Sequence, residues 1–301
     1  MQPEPSAATA TARSGAIYDL GYQGYDGPRL GRRAAIATLF WSSWRAAFGL
    51  GRSGRAKIVP WGLTIIALLP AGIAVGIVAL VGNAIQPFSY DNYLSQIQVA
   101  LTLFVAAQAP ELVGGDQRNR VLSLYFSHAI LRLDYAAAKL AALTAALLVL
   151  TVAPQLVLFA GKVLSATDVL AALGDEVPKL IQIAVSSLVY SLTLAIIGLA
   201  IAAFTPRRAY ATGAIIAFFL VTAIVSAMLS NIGSPPIAWA PLLDPVGVAD
   251  AVNQWLFTGI AMPTNREGIV DNPAWWYLAA LAAVWVVGIA VIVVRYRRIQ
   301  A

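Results

Sequence analysis

The chain has 301 residues, of which 59% are hydrophobic and only 11% charged, with 20 Lys and Arg against 14 Asp and Glu. It holds no cysteine and one histidine, His128, which excludes a disulfide framework, a thiolate nucleophile, Cys-ligated metal and multi-histidine metal centres. The net charge of +6 and pI near 9.7 point to membrane orientation and anionic lipid, not nucleic acid, because of where the positive charge falls.

Residues 1–16 are mostly Ala, Thr, Pro and Ser without periodicity, a composition expected to stay disordered. No short apolar stretch precedes Arg13, so no cleaved signal peptide is expected. A lead-in rich in Tyr, Gly and Arg follows from Ile17 to Arg33 and completes a cytoplasmic segment, 1–33. From Ala34 to Phe48 the pattern turns helical: Ile36, Phe40, Trp44 and Phe48 recur every four residues, with Thr38, Ser42 and Arg45 on another side. An aromatic stripe beside basic residues suits a helix lying in the membrane interface. A short helix on a soluble domain has the same pattern, but little soluble sequence is left to supply that domain.

Gly49-Leu-Gly51-Arg-Ser-Gly54 matches the G-x-G-x-x-G dinucleotide fingerprint. That chemistry needs a strand before the glycines and a helix N-terminus after them, whereas here an amphipathic helix precedes and a membrane span follows. The P-loop Lys and Ser/Thr are missing too. The glycines are read as a hinge, with Arg52, Arg55 and Lys57 facing lipid phosphates, so 34–57 forms an interfacial helix plus hinge.

Six apolar segments then fill 58–298: Pro60 to Gly82, Leu94 to Leu112, Ala138 to Ala160, Leu180 to Phe204, Tyr210 to Ser230 and Ala274 to Val294. Each is close to the ~20 residues that cross a bilayer core as helix. Only Lys162, Lys179 and Arg266 fall in the loops of one side; the remaining Lys and Arg lie on the other, with both termini. Since cytoplasmic loops collect Lys and Arg, the expectation is an all-α membrane protein of six spans with both termini inside.

The first cytoplasmic loop, 113–137, is the richest. Gly114 and Gly115 are expected to end the second span, Asp116 and Arg120 form an i,i+4 pair, and Val121, Leu124, Tyr125 and His128 share one face of a short amphipathic helix. That face needs something to cover it, and the residues leave open whether this is a partner protein or the chain's own interfacial helix. Polar residues inside the spans are uncharged: Gln98, Thr102, Gln108, Thr144, Thr151, Gln155, Gln182, Ser186, Tyr190 and Thr193. They suit hydrogen bonds between helices or the lining of a pathway. No full charge sits at a span centre, so coupling to a proton or sodium gradient has no buried carboxylate to work through. Glu111, beside Pro110 at the end of the second span, is expected to pair with a loop arginine. In the outer loop, 231–273, Asp244 and Pro245 supply an N-cap and first-turn proline for a helix running to Gly259, with Val248, Val252, Trp255 and Leu256 at helical spacing, expected to dip into the interface. Trp275, Trp276 and Tyr277 form an outer aromatic belt, and Arg295, Tyr296, Arg297 and Arg298 anchor the inner end of the last span.

This order of parts resembles the permease subunit of an ABC-2 type (type V) ABC exporter. The most specific stretches are Tyr22-Gln-Gly-Tyr-Asp-Gly-Pro-Arg29, Glu111-Leu-Val-Gly-Gly-Asp-Gln-Arg-Asn-Arg-Val-Leu-Ser-Leu-Tyr125, Arg132-Leu-Asp-Tyr135 and Lys139. The resemblance implies an elbow helix carrying Phe40, Trp44, Arg45 and Phe48, and a coupling helix presenting Asp116, Arg118, Arg120, Leu124, Tyr125 and His128 to an ATPase. It implies two cytoplasmic ABC ATPase subunits that bind ATP and Mg, a second permease copy, and a prokaryotic plasma membrane. The chain itself would need no cofactor and catalyse no reaction, and Gln98, Gln108, Gln155, Gln182, Ser186 and Tyr190 would line the pathway or join helices. Two other classes compete. A membrane-embedded transferase or hydrolase would have to work with Glu111, Asp116, His128 and Asp134, and a non-transporting anchor would share the loop interface but tolerate polar substitutions along the outer half of its spans.

Overall fold

The computed structural model describes residues 31–81, 87–118, 125, 130–232, 237–264 and 272–298. Its regular elements there are helical: α1 Gly31–Ala47, α2 Gly54–Val81, α3 Tyr90–Gln96, α4 Gln98–Arg118, α5 Arg132–Leu164, α6 Val169–Glu176, α7 Lys179–Ala202, α8 Arg208–Asn231, a 3-10 turn Ala240–Leu243, α9 Pro245–Thr258 and α10 Ala274–Arg298. Five of them (α2, α5, α7, α8 and α10) are long and apolar enough to cross a membrane, and α3 with α4 makes a further such stretch bent by 50°. Among the described residues the regular structure is therefore all helical, with several helices long and apolar enough to span a membrane.

Helix α1 ends at Ala47, and the glycine-rich turn before α2 follows it. Gly49 and Gly51 adopt positive φ, 67° and 85°. At Gly49 the backbone also approaches closely: a Cβ there would lie 2.6 Å from the carbonyl oxygen of Ala56. Pro60, inside α2, has no N–H to bond that carbonyl, four residues back. Helix α2 therefore begins six residues before Pro60, and Gly49 fits against the peptide that Pro60 leaves unpaired.

The second span differs from its expected form in two ways. It is not one straight helix from Leu94 but breaks at Ile97, and it does not stop at Gly114 and Gly115 but continues to Arg118. Gly114 has a packing reason instead, since a Cβ there would meet the backbone of Pro206 at 3.4 Å, so glycine lets α4 pass beside the turn between α7 and α8. Helix α5, at 33 residues, exceeds what a bilayer core requires and starts six residues earlier than its apolar stretch, carrying Asp134, Tyr135 and Lys139.

Close helix crossings use glycine, as expected where backbones meet without a hydrophobic gradient to drive them. A Cβ on Gly161 would overlap Val75 of α2, one on Gly198 would overlap Val105 of α4, and one on Gly288 would overlap Ile196 of α7. Helix α7 is central, with 78% of its most apolar stretch buried, against 17% for α8 and for α10. Helix α9 follows the sequence closely: the Asp244 carboxylate accepts from Val246 N at 3.1 Å and Gly259 closes it at φ 81°. It packs on α3, α7 and α10 and buries Asp250, Asn253 and Gln254 as well as Val248 and Val252, leaving Trp255 exposed.

Candidate functional site

The polar groups at the basic end of the bundle converge on the two ends of the loop between α4 and α5. The first turn of α5 is closed by Asp134, whose Oδ2 accepts from Leu131 N at 3.0 Å. The same carboxylate accepts from Arg32 of α1, Nε and Nη2 each donating at 2.7 Å to a different oxygen. This bidentate pair is of the stronger kind, and it raises the pKa of the Arg32 guanidinium.

One residue further, the fully buried Tyr135 donates to Asp116 Oδ2 at 2.7 Å, and Lys139 Nζ lies 2.8 Å from the same oxygen. The Tyr135 ring packs against Tyr125 at 5.8 Å and Tyr296 of α10 at 5.4 Å. Burial, then the Asp116 charge, pushes the Tyr125 hydroxyl up. Arg132 donates to Arg297 O at 3.1 Å, while Gln117 and Arg295 both donate to Ala203 O, just past the end of α7. Thus α1, α4, α5, α7 and α10 are joined by charged and aromatic contacts around one loop.

Of the residues singled out on the loop, Asp116 and Arg118 close α4, with Arg118 exposed, and Tyr125 is helical. Arg120, Leu124 and His128 lie outside the described residues. On α1 the aromatic stripe faces the bundle: Trp44 stacks on Trp41 at 5.0 Å and meets Phe48 edge-on at 5.4 Å. Phe48 reaches Trp61 and Phe104, Phe40 is half-buried, and Arg45 is exposed.

Glu111 is paired as expected with arginines from loop and helix start: Arg52 of the hinge and Arg208 of α8, the latter at 2.9 Å. Beside this triad is a cavity of about 390 Å³ that Gln108 also lines. Glu111, Asp116 and Asp134 are thus each held by different cations. Among the described residues no group of three or more His, Asp or Glu side chains comes together.

The polar residues inside the spans divide in two. Gln155 donates to Ser187 Oγ at 2.9 Å and Thr151 meets Ser191 at 3.2 Å, joining α5 to α7. Gln182 donates to Leu256 O, Tyr190 to Asp250, and Thr193 accepts from Trp285, so that face of α7 holds α9 and α10. Among the described residues Ser186 bonds its own helix, at Ile183 O. Gln98 and Thr102 instead line a cavity of about 180 Å³ between α4 and α8, which Asp244 also borders.

Asp250 was not singled out by the sequence, where it reads as the polar side of an amphipathic helix. It is 3% exposed, accepts from Tyr190 and from Thr264 N, and burial pushes it up to about 6 against those hydrogen bonds.

No protein-family model matches this sequence, and no curated protein matches it as a relative.

Proposed function

We propose that the chain is the permease subunit of an ATP-driven exporter of the ABC-2 type, with six spans, both termini in the cytoplasm of a prokaryotic cell, and a second permease copy completing the pathway. The observation that carries this reading is the network around the loop between α4 and α5. Asp116 on one side of the loop is held by Tyr135 and Lys139 on the other, and the same turn of α5 grips the interfacial helix through Arg32 and Asp134. A push on that loop is therefore delivered to two spans and to α1 together, as a coupling element requires. The sorted Lys and Arg and the uncharged span interiors agree with it, since energy has to enter from outside the membrane.

In this mechanism two separate ATPase subunits bind ATP with Mg, close, and pull on the two loops. The motion passes through α4, α5 and α1 and shifts the pathway from inward-open to outward-open. ATP drives this only to the extent that it binds the closed state better than the open one.

The test is native-detergent purification of the tagged protein, with mass spectrometry of what co-purifies and an ATPase assay of the eluate. A stoichiometric P-loop ATPase supports the proposal. A chain that purifies from its native membrane without any ATPase overturns it and makes Glu111, Asp116, His128 and Asp134 the next targets for an embedded enzyme.

A further inference from the structure

The cavity at the hinge has the composition of an anion site. It is enclosed by the end of α1, the hinge, the first turn of α2, the middle of α4 and the start of α8. Its volume of about 390 Å³ lies within the ~300–1,000 Å³ usual for small-molecule sites. Three guanidinium groups line it, Arg52, Arg55 and Arg208, against the single carboxylate of Glu111. Glu111 is shared between Arg52 and Arg208, which orients both forks and leaves a net charge of +2. Arg55 has no carboxylate partner among the described residues.

A second observation is independent of charge. Gln108 is 4% exposed as a residue and lines the cavity. Its amide is not among the buried polar atoms left without a partner; it opens on the cavity, where it is free to donate to a ligand. The first turn of α2, which also lines it, adds the positive end of a 28-residue helix.

We propose that this cavity binds a tetrahedral phosphate group, with Arg52, Arg55 and Arg208 as the charged forks and Gln108 as a neutral donor. Guanidinium forks match phosphate oxygens in pairs, which an ammonium cannot do. Phosphate of this kind is carried both by an anionic phospholipid headgroup and by free phosphate. Val59, Ala46 and Ala56 on the wall give the glycerol end of a lipid somewhere apolar to lie. Occupancy would lock the hinge, since one ligand would bridge α1, α2, α4 and α8. The inference is independent of any ATPase, because a chain that purifies alone keeps this cavity.

The experiment is thermal unfolding of the full-length protein in a neutral detergent at fixed ionic strength, titrated separately with inorganic phosphate and with short-chain phosphatidylglycerol. A saturable rise in melting temperature is expected. Phosphate alone producing it identifies free phosphate as sufficient, and a rise with the lipid only identifies the headgroup. Gln108→Leu, which preserves volume, and Arg55→Ala should each weaken the apparent affinity roughly tenfold. Arg207→Ala, an exposed cation next to Arg208 that does not line the cavity, should leave it unchanged. If Gln108→Leu does not fold, Arg55→Ala against Arg207→Ala decides alone. No saturable rise with either ligand, or equal weakening by Arg207→Ala, overturns the proposal.

Discussion

Arg32 and Asp134, 102 residues apart in the chain, meet through two parallel hydrogen bonds of 2.7 Å and so fasten the first turn of α1 to the first turn of α5. The Arg32 side chain is half-exposed, so the pair contributes little to stability. Its value lies in alignment. Charge reversal at either residue is expected to leave the melting temperature nearly unchanged while lowering the ATPase activity of the purified complex. The double reversal, Arg32→Asp with Asp134→Arg, should recover most of it. Additive losses in the double variant would remove the pair from the transmission path.

The loop between α4 and α5 is the proposed docking surface. Leu124→Asp combined with Tyr125→Asp should abolish association with the ATPase, read by co-purification, while membrane insertion stays intact. Wild-type association of that variant would sink the assignment of the loop.

The two hinge glycines should behave differently. Gly51 has a positive φ but open space around it, so Gly51→Ala should cost about 1 kcal/mol from backbone strain alone. Gly49 adds the contact with the Ala56 carbonyl, and Gly49→Ala should cost about 2–4 kcal/mol by chemical unfolding in detergent. Equal costs would show that the close approach relaxes freely.

Polar and steric contacts between spans also separate. Gln155→Leu removes the bond to Ser187, but it also removes an Oε1 atom that lacks a partner, and its net cost should stay below about 1 kcal/mol. Gly198→Leu drives a side chain into Val105 and should cost about 1–3 kcal/mol. Unfolding in a mild detergent measures both.

Asp250 predicts a pH dependence. Its pKa is about 6 in the fold against an ordinary value of 3.8, so the folded state holds the proton more tightly than the unfolded one. Stability should therefore rise as pH falls from above 6 to below about 4, by about 3 kcal/mol across that window. Asp250→Asn should flatten the profile there. Because Asp134 and Glu176, both held below their ordinary values, act in the opposite direction, the difference between wild type and Asp250→Asn is the readout, and superimposable profiles through this window contradict the assignment.

What the sequence made legible was whatever local chemistry decides. The Asp244 cap, the Gly259 stop and the Gly49 hinge lie where residue types placed them, because each is set by neighbours a few residues away. The extension of α4 past Gly114 was hidden, because the reason for that glycine is Pro206, far along the chain. The pairing of Glu111 was half legible: an arginine partner was expected, but that Arg52 and Arg208 would share it depends on α2 and α8 flanking α4. Asp250 was missed because a carboxylate on a short helix reads as solvated until other helices enclose it.

The unequal burial of α7 has a consequence for genetics. Three neighbours hold it by hydrogen bonds: α5 through Gln155, α9 through Asp250, and α10 through Trp285 and Arg295. Helices α8 and α10 leave most of their apolar surface open. In a deep mutational scan, substitutions at the buried positions of α7, such as Ile183, Tyr190, Leu194 and Ile196, will register as loss of protein abundance, because these side chains cannot change without unpacking the neighbours. Substitutions on the open faces of α8 and α10 will leave abundance intact, and any phenotype they show will report on what those faces touch in the working assembly.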